Sequence, residues 1–146
     1  MNIARGYHTD ILLADGISVA TLGGSWHRGG VPDYTDEKVG EVWKQSTGWR
    51  VLPGWKAKPL SNKDDGSSGD NHMWLFPLLN GIVFQAGPSP EMHFLNLAGT
   101  GSMRLAGTRL DHGTAMNGVA VMFAPNKIFC AGGVRASPVE ASRLSE

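Results

Sequence analysis

Residues 9–24 read TDILLADGISVATLGG. Two short runs, 11–14 and 17–22, are rich in apolar and β-branched residues and flank Asp15-Gly16. An Asp-Gly step between such runs predicts a β-hairpin, because glycine tolerates the positive φ that a tight turn needs. The second run ends in Gly23-Gly24. The same order returns at residues 72–87, HMWLFPLLNGIVFQAG, with Asn80-Gly81 as the turn and Ala86-Gly87 as the ending. It returns again at residues 119–133, VAVMFAPNKIFCAGG, with Pro125-Asn126 as the turn and Gly132-Gly133 as the ending.

Working outward, residues 40–54, GEVWKQSTGWRVLPG, predict a further hairpin turning through Ser46-Thr47-Gly48 and stopped by Pro53-Gly54. Residues 91–107, EMHFLNLAGTGSMRLAG, predict another, turning at Gly99–Gly101. The polar stretch 56–70, KAKPLSNKDDGSSGD, reads as a long surface loop. No long amphipathic helix is visible. Four short strands recurring about every 50 residues match the spacing of kelch-type propeller blades. Paired glycines would give backbone room in the crowded strand nearest a propeller axis. Tryptophans 43, 49, 55 and 74 are plates suited to packing between blades. An antiparallel sandwich with glycine-rich turns accounts for the same pattern.

Composition narrows the function. The chain has 146 residues, a formal net charge of zero and 18% charged residues. That balance argues against a nucleic-acid partner, which favours a basic excess. Twenty glycines and eight prolines fit frequent turns. The single cysteine, Cys130, excludes an internal disulfide. No apolar run reaches membrane-spanning length, and residues 1–6 lack the apolar region of a signal peptide.

Several stretches, in order, resemble the galactose oxidase and glyoxal oxidase family of copper-radical oxidases. Residues 4–30, ARGYHTDILLADGISVATLGGSWHRGG, are similar to the family hairpin that starts at Arg-Gly-Tyr and closes at Gly-Gly-Ser-Trp. Residues 40–54 resemble its next hairpin. Residues 68–96, SGDNHMWLFPLLNGIVFQAGPSPEMHFLN, are the clearest match, and residues 113–133 resemble the strand pair after it. The resemblance implies an all-β fold: a partial kelch-type β-propeller of about two to three four-stranded antiparallel blades over residues 1–133. A loose tail is expected over residues 134–146.

By this resemblance, Tyr7 corresponds to the tyrosine that binds copper, is cross-linked to a cysteine and holds the radical. Trp26 corresponds to the indole stacked over that cross-link. Phenolate suits Cu(II), and a redox-active side chain supplies the second electron that one copper cannot. Stacking shields a radical from solvent. The resemblance also places His72, within Asp70-Asn71-His72, at the mouth of the substrate pocket; a hydrogen-bonded turn histidine is the alternative. The family's cysteine partner lies upstream of Arg-Gly-Tyr, and its other copper ligands, a Tyr-His pair and a second histidine, lie downstream. Of the expected metal ligands this chain carries only Tyr7, so the chain alone is expected to hold no copper and to be inactive. The parent would oxidise a primary alcohol, aldehyde or carbohydrate with O2 to give H2O2, and missing propeller blades would be its natural partners. Where the family has an arginine that contacts sugar hydroxyls, this chain has Ser68, which argues against galactose. The family's members imply an extracellular setting. A non-catalytic kelch module that binds a protein or glycan is the competing function.

Other candidates are weaker. The five histidines, at 8, 27, 72, 93 and 112, show no metal-binding spacing. Asp64-Asp65 read as solvated loop charge. Gly99-x-Gly101 precedes no helix, so it is not a phosphate loop.

Overall fold

The computed structural model describes residues 1–24, 38–60, 73–109, 113–115 and 118–132. Strands β1 (Thr9–Leu12), β2 (Val19–Leu22), β3 (Gly40–Lys44) and β4 (Gly48–Leu52) form one antiparallel sheet in chain order. Strands β5 (Trp74–Pro77), β6 (Ile82–Gly87), β7 (Glu91–Asn96) and β8 (Ser102–Thr108) form a second in the same order. Strands β9 (Val119–Ala124) and β10 (Lys127–Ala131) pair as a third, two-stranded sheet. Among the described residues the only helix is a 3-10 turn at Lys58–Leu60, so none is long and apolar enough to cross a membrane.

Turn chemistry sets the hairpins. Asn80 and Gly81 have φ of 59° and 70°, the pair of positive values that a two-residue hairpin turn requires. Asn126 has φ of 59° at the β9–β10 turn. The first hairpin is longer than a two-residue Asp15-Gly16 turn. β1 and β2 are joined by residues 13–18, with Leu12 opposite Val19. The Asp15 carboxylate accepts hydrogen bonds from the amides of Ile17 (3.1 Å) and Ser18 (2.8 Å) and from the Ser18 hydroxyl (2.5 Å). These bonds add to two backbone ones, Leu13 N to Ser18 O at 2.8 Å and Gly16 N to Leu13 O at 2.9 Å, which close the loop around Asp15-Gly16.

Consecutive sheets pack face to face. Leu22, Val42, Leu52, Trp55 and Leu60 from the first meet Met73, Leu75, Val83 and Leu95 from the second in one buried cluster. The Trp55 indole N–H donates to Asn96 O at 2.8 Å, so this buried ring is also satisfied as a donor. Gly54 N donates to Thr100 O at 3.0 Å. Trp74, Ala86 and Ala115 form a second cluster with Phe76, Phe84, Ala120, Ile128 and Cys130, joining the second sheet to β9–β10. The Arg109 guanidinium covers the Trp74 ring at 5.1 Å and donates to Pro88 O and Gly113 O.

β1 touches β5, and β5 touches β9. First strand therefore lies beside first strand from sheet to sheet, as in blades arranged about a shared axis. Each four-stranded sheet is an uninterrupted meander, without the strand exchange of a Greek-key sandwich. The chain is an all-β partial propeller whose sheets do not close into a ring.

Several sequence expectations change in detail. The third unit contributes two described strands where a four-stranded blade was the upper expectation. The polar stretch after Trp55 begins inside the fold: Ala57 and Leu60 are buried, because the 3-10 turn lays them into the inter-sheet cluster. Gly23-Gly24 follow β2 and Gly87 ends β6, so these glycines lie at the ends of second strands, and Gly133 lies outside the described residues. Trp55 and Trp74 are buried as expected, whereas Trp43 and Trp49 face each other across β3–β4 and are half-buried. The tail after Gly133 lies outside the described residues.

Candidate functional site

Residues 1–8 precede the first strand and lie against the end of β2 and the start of β3. Arg5 anchors them. Its guanidinium pairs with Glu41 at 2.9 Å, and both side chains are wholly buried. It also donates to Gly23 O (2.9 Å), Val39 O (2.8 Å) and Lys38 O (3.4 Å). Glu41 in turn accepts the backbone amides of Asn2 (2.6 Å) and Ile3 (3.3 Å). Lys38 Nζ donates to Ala4 O at 3.1 Å. Burial draws the Arg5 pKa downward, and the hydrogen bond and charge of Glu41 oppose that shift. The guanidinium stays charged at neutral pH, since its ordinary pKa lies far above.

The second glycine of the Gly23-Gly24 pair makes this docking possible. A Cβ on Gly24 would lie 2.7 Å from Gly6 O and 3.0 Å from Arg5 Cβ, and the backbone there has φ of 103°. The glycines give room, as expected, but to the incoming Arg5-Gly6 segment. Gly87 plays the corresponding part for the Trp74 ring, which a Cβ would approach to 2.4 Å.

Tyr7 follows directly. Its φ is 55°, the left-handed region that costs a non-glycine residue about 1 kcal/mol. Its side chain is 55% exposed. The residue thus combines an uncommon backbone conformation with an exposed position. Next to it, His8 Nε2 lies 3.2 Å from Asp10 Oδ2. Tyr7 sits at the open end of the β1–β2 hairpin, opposite the 13–18 turn, where Thr9 pairs with Leu22.

Of the sequence-derived site residues, Tyr7 is thus placed at an open strand end. Trp26 and His72 lie outside the described residues, as do Ser68 and Asp64-Asp65. Gly99–Gly101 is a turn joining β7 to β8, with Gly101 N donating to Ala98 O at 3.0 Å. His93 lies in β7, with Nδ1 at 3.0 Å from Gln85 Oε1. Arg5 and Glu41 were not singled out as site residues from the sequence. The only signal for Arg5 was its place in Arg-Gly-Tyr, and nothing local marks Glu41.

No protein-family model matches the chain. Two galactose oxidase sequences from Gibberella zeae are each 42% identical to it over 130 residues, covering 84% of this chain. A solved copper complex of a fungal alcohol oxidase, described as showing catalytic diversity among the AA5 family, superposes with a TM-score of 0.80. It is 36% identical and covers 92% of this chain. The chain is galactose oxidase-like. The match is to part of a copper-radical oxidase: this chain spans 18% of the length of the curated relatives and 27% of the solved one.

Copper is bound in the solved relative. Among the described residues of the galactose oxidase-like chain, no three of histidine, cysteine, aspartate and glutamate gather into a group that could hold a metal ion. Tyr7 offers one phenol oxygen, whereas a mononuclear copper centre needs several converging ligands. The described residues therefore do not fit the metal by themselves, and no chemical step through it follows from them.

Proposed function

We propose that this chain is the part of a copper-radical oxidase propeller that supplies the redox tyrosine, Tyr7, and the indole that covers it, Trp26. The single observation that carries the reading is the placement of Tyr7. Within a region 42% identical to galactose oxidases, it occupies a left-handed backbone position, exposed, at the open end of a hairpin. Gly24, two residues before Trp26, packs against the Gly6 carbonyl and the Cβ atoms of Arg5 and His8, residues on either side of Tyr7. Two residues of chain span at most about 7 Å, which favours an indole close to the phenol.

The assembled oxidase converts a primary alcohol or aldehyde with O2, releasing H2O2. When bound, copper would provide the acceptor for one of the two electrons removed from the alcohol and the tyrosyl radical the acceptor for the other, both then passing with two protons to O2. This chain's own part is to hold the phenol in place and shield it. By itself it is inactive, because the remaining ligands come from elsewhere in the propeller, along with the blades that complete it. Ser68, where sugar-oxidising relatives have an arginine, disfavours galactose, and His72 lines the pocket mouth.

A chimera tests this reading. The matching stretch of the Gibberella zeae galactose oxidase is replaced by residues 4–131 of this chain. The copper-loaded chimera is expected to release peroxide from a simple primary alcohol, and Tyr7→Phe is expected to lower that rate by at least about a thousandfold, as losing a covalent or redox group does. A folded, copper-loaded chimera whose activity is indifferent to Tyr7→Phe would overturn the assignment.

A further inference from the structure

The buried Arg5–Glu41 pair is not explained by stability alone. Such a pair loses the hydration of both ions, and apolar residues of similar volume often serve a core as well or better. What an apolar pair cannot do is make the remaining hydrogen bonds. Here those bonds all tie residues 1–5 to the first sheet. The guanidinium reaches carbonyls on two separate segments, Gly23 just after β2 and Lys38-Val39 just before β3. The carboxylate receives the amides of Asn2 and Ile3. Residues 1–8 belong to no strand, so this pair stands in for a sheet ladder.

We propose that Arg5, paired with Glu41, is the positioning residue for Tyr7. This rests on the reading of Tyr7 as the redox tyrosine. Arg5 is two residues before Tyr7, and the intervening Gly6 carbonyl is seated against Gly24. On the other side, Thr9 is fixed by pairing with Leu22. Tyr7 is therefore held from both ends, and its left-handed φ follows from the two fixed points. Loss of the Arg5 fork releases one end and lets Tyr7 relax to an ordinary backbone conformation, moving the phenol. Lysine cannot substitute, because one ammonium cannot span three carbonyls and a carboxylate.

The test uses the full 146-residue chain labelled with 3-fluorotyrosine. Its two tyrosines, Tyr7 and Tyr34, give two 19F lines, and Tyr7→Phe identifies the first. Amide exchange read by mass spectrometry follows residues 1–6 and the second sheet separately. Glu41→Gln and Arg5→Lys are each expected to move the Tyr7 line and to speed exchange in residues 1–6 by about a hundredfold, with β5–β8 unchanged. An unmoved Tyr7 line in both variants would overturn the proposal. Loss of protection throughout in the double variant described next would also overturn it, since the pair would then be a general support of the fold.

Should the single variants fail to fold, the double variant Arg5→Met with Glu41→Met leaves no lone buried charge. It is expected to keep β5–β8 protected while the Tyr7 line is displaced; a native line in that variant would refute the proposal. None of these readouts involves copper or turnover. Failure of the oxidase reading would appear in the chimera alone, and failure of the positioning role in the 19F line.

Discussion

Asp15 holds its loop by accepting from the Ser18 hydroxyl and from two backbone amides, and those bonds favour the ionised carboxylate. Its pKa is accordingly lowered, with the Ser18 hydroxyl as the largest cause. The folded chain thus binds this proton less readily than the unfolded one. The contribution to stability is complete above the ordinary carboxylate range, near pH 4, and is lost as pH falls through the depressed value. Ser18→Ala is expected to raise the Asp15 pKa toward its ordinary value, read as a shift of its carboxyl 13C titration. An unmoved titration would contradict the assignment. Tyr7 could be singled out from the sequence at this scale because Arg-Gly-Tyr is a contiguous motif. Glu41, 36 positions from Arg5, was not. Their meeting depends on the pairing of β2 with β3, which no local pattern announces.

Hairpins were the most legible elements, since Asn80-Gly81 and Pro125-Asn126 each carry their turn geometry in two residues. The first turn spans more residues than Asp15-Gly16 alone, because Leu13 and Ser18 pair through their backbone outside both strands while Asp15 caps the inside of the loop. Burial of Ala57 and Leu60 was missed because it depends on the second sheet, far along the chain, against which they lie. Junctions between sheets carry a similar long-range demand. A Cβ on Gly54 would fall 1.9 Å from Gly101 O. Gly54→Ala must therefore push the β4 exit away from the β7–β8 turn, stretching the Gly54–Thr100 hydrogen bond and disturbing Trp55 beside it. A loss of about 1–3 kcal/mol is expected, measured as a lower denaturation midpoint. A midpoint equal to that of the unsubstituted chain would show that this contact yields without cost.

Among the described residues, each sheet face inside the stack is covered by its neighbour, and the outer face of β9–β10 is not. Val119, Val121, Phe123 and Phe129 are all more than half exposed there, with Val121 directly opposite Phe129. An apolar face of this kind is ordinarily an interface, and repeat stacks need capped ends for solubility. Copies of this chain are expected to self-associate through it. Phe123→Ser with Phe129→Ser should shift the size-exclusion profile toward monomer; a monomeric unsubstituted chain would contradict the expectation.

At this same scale the propeller was legible from the recurring strand–turn–strand–glycine order, because each blade repeats one local pattern. The meeting of Tyr7 with Trp26 is the claim on which the oxidase reading turns. A crystal structure of the chain tests it most directly, through the separation of the two rings. The account predicts the Trp26 indole over the Tyr7 phenol at the open end of the β1–β2 hairpin, with centroids about 4.5–7 Å apart. Rings at opposite ends of the blade, or well beyond contact, would contradict it.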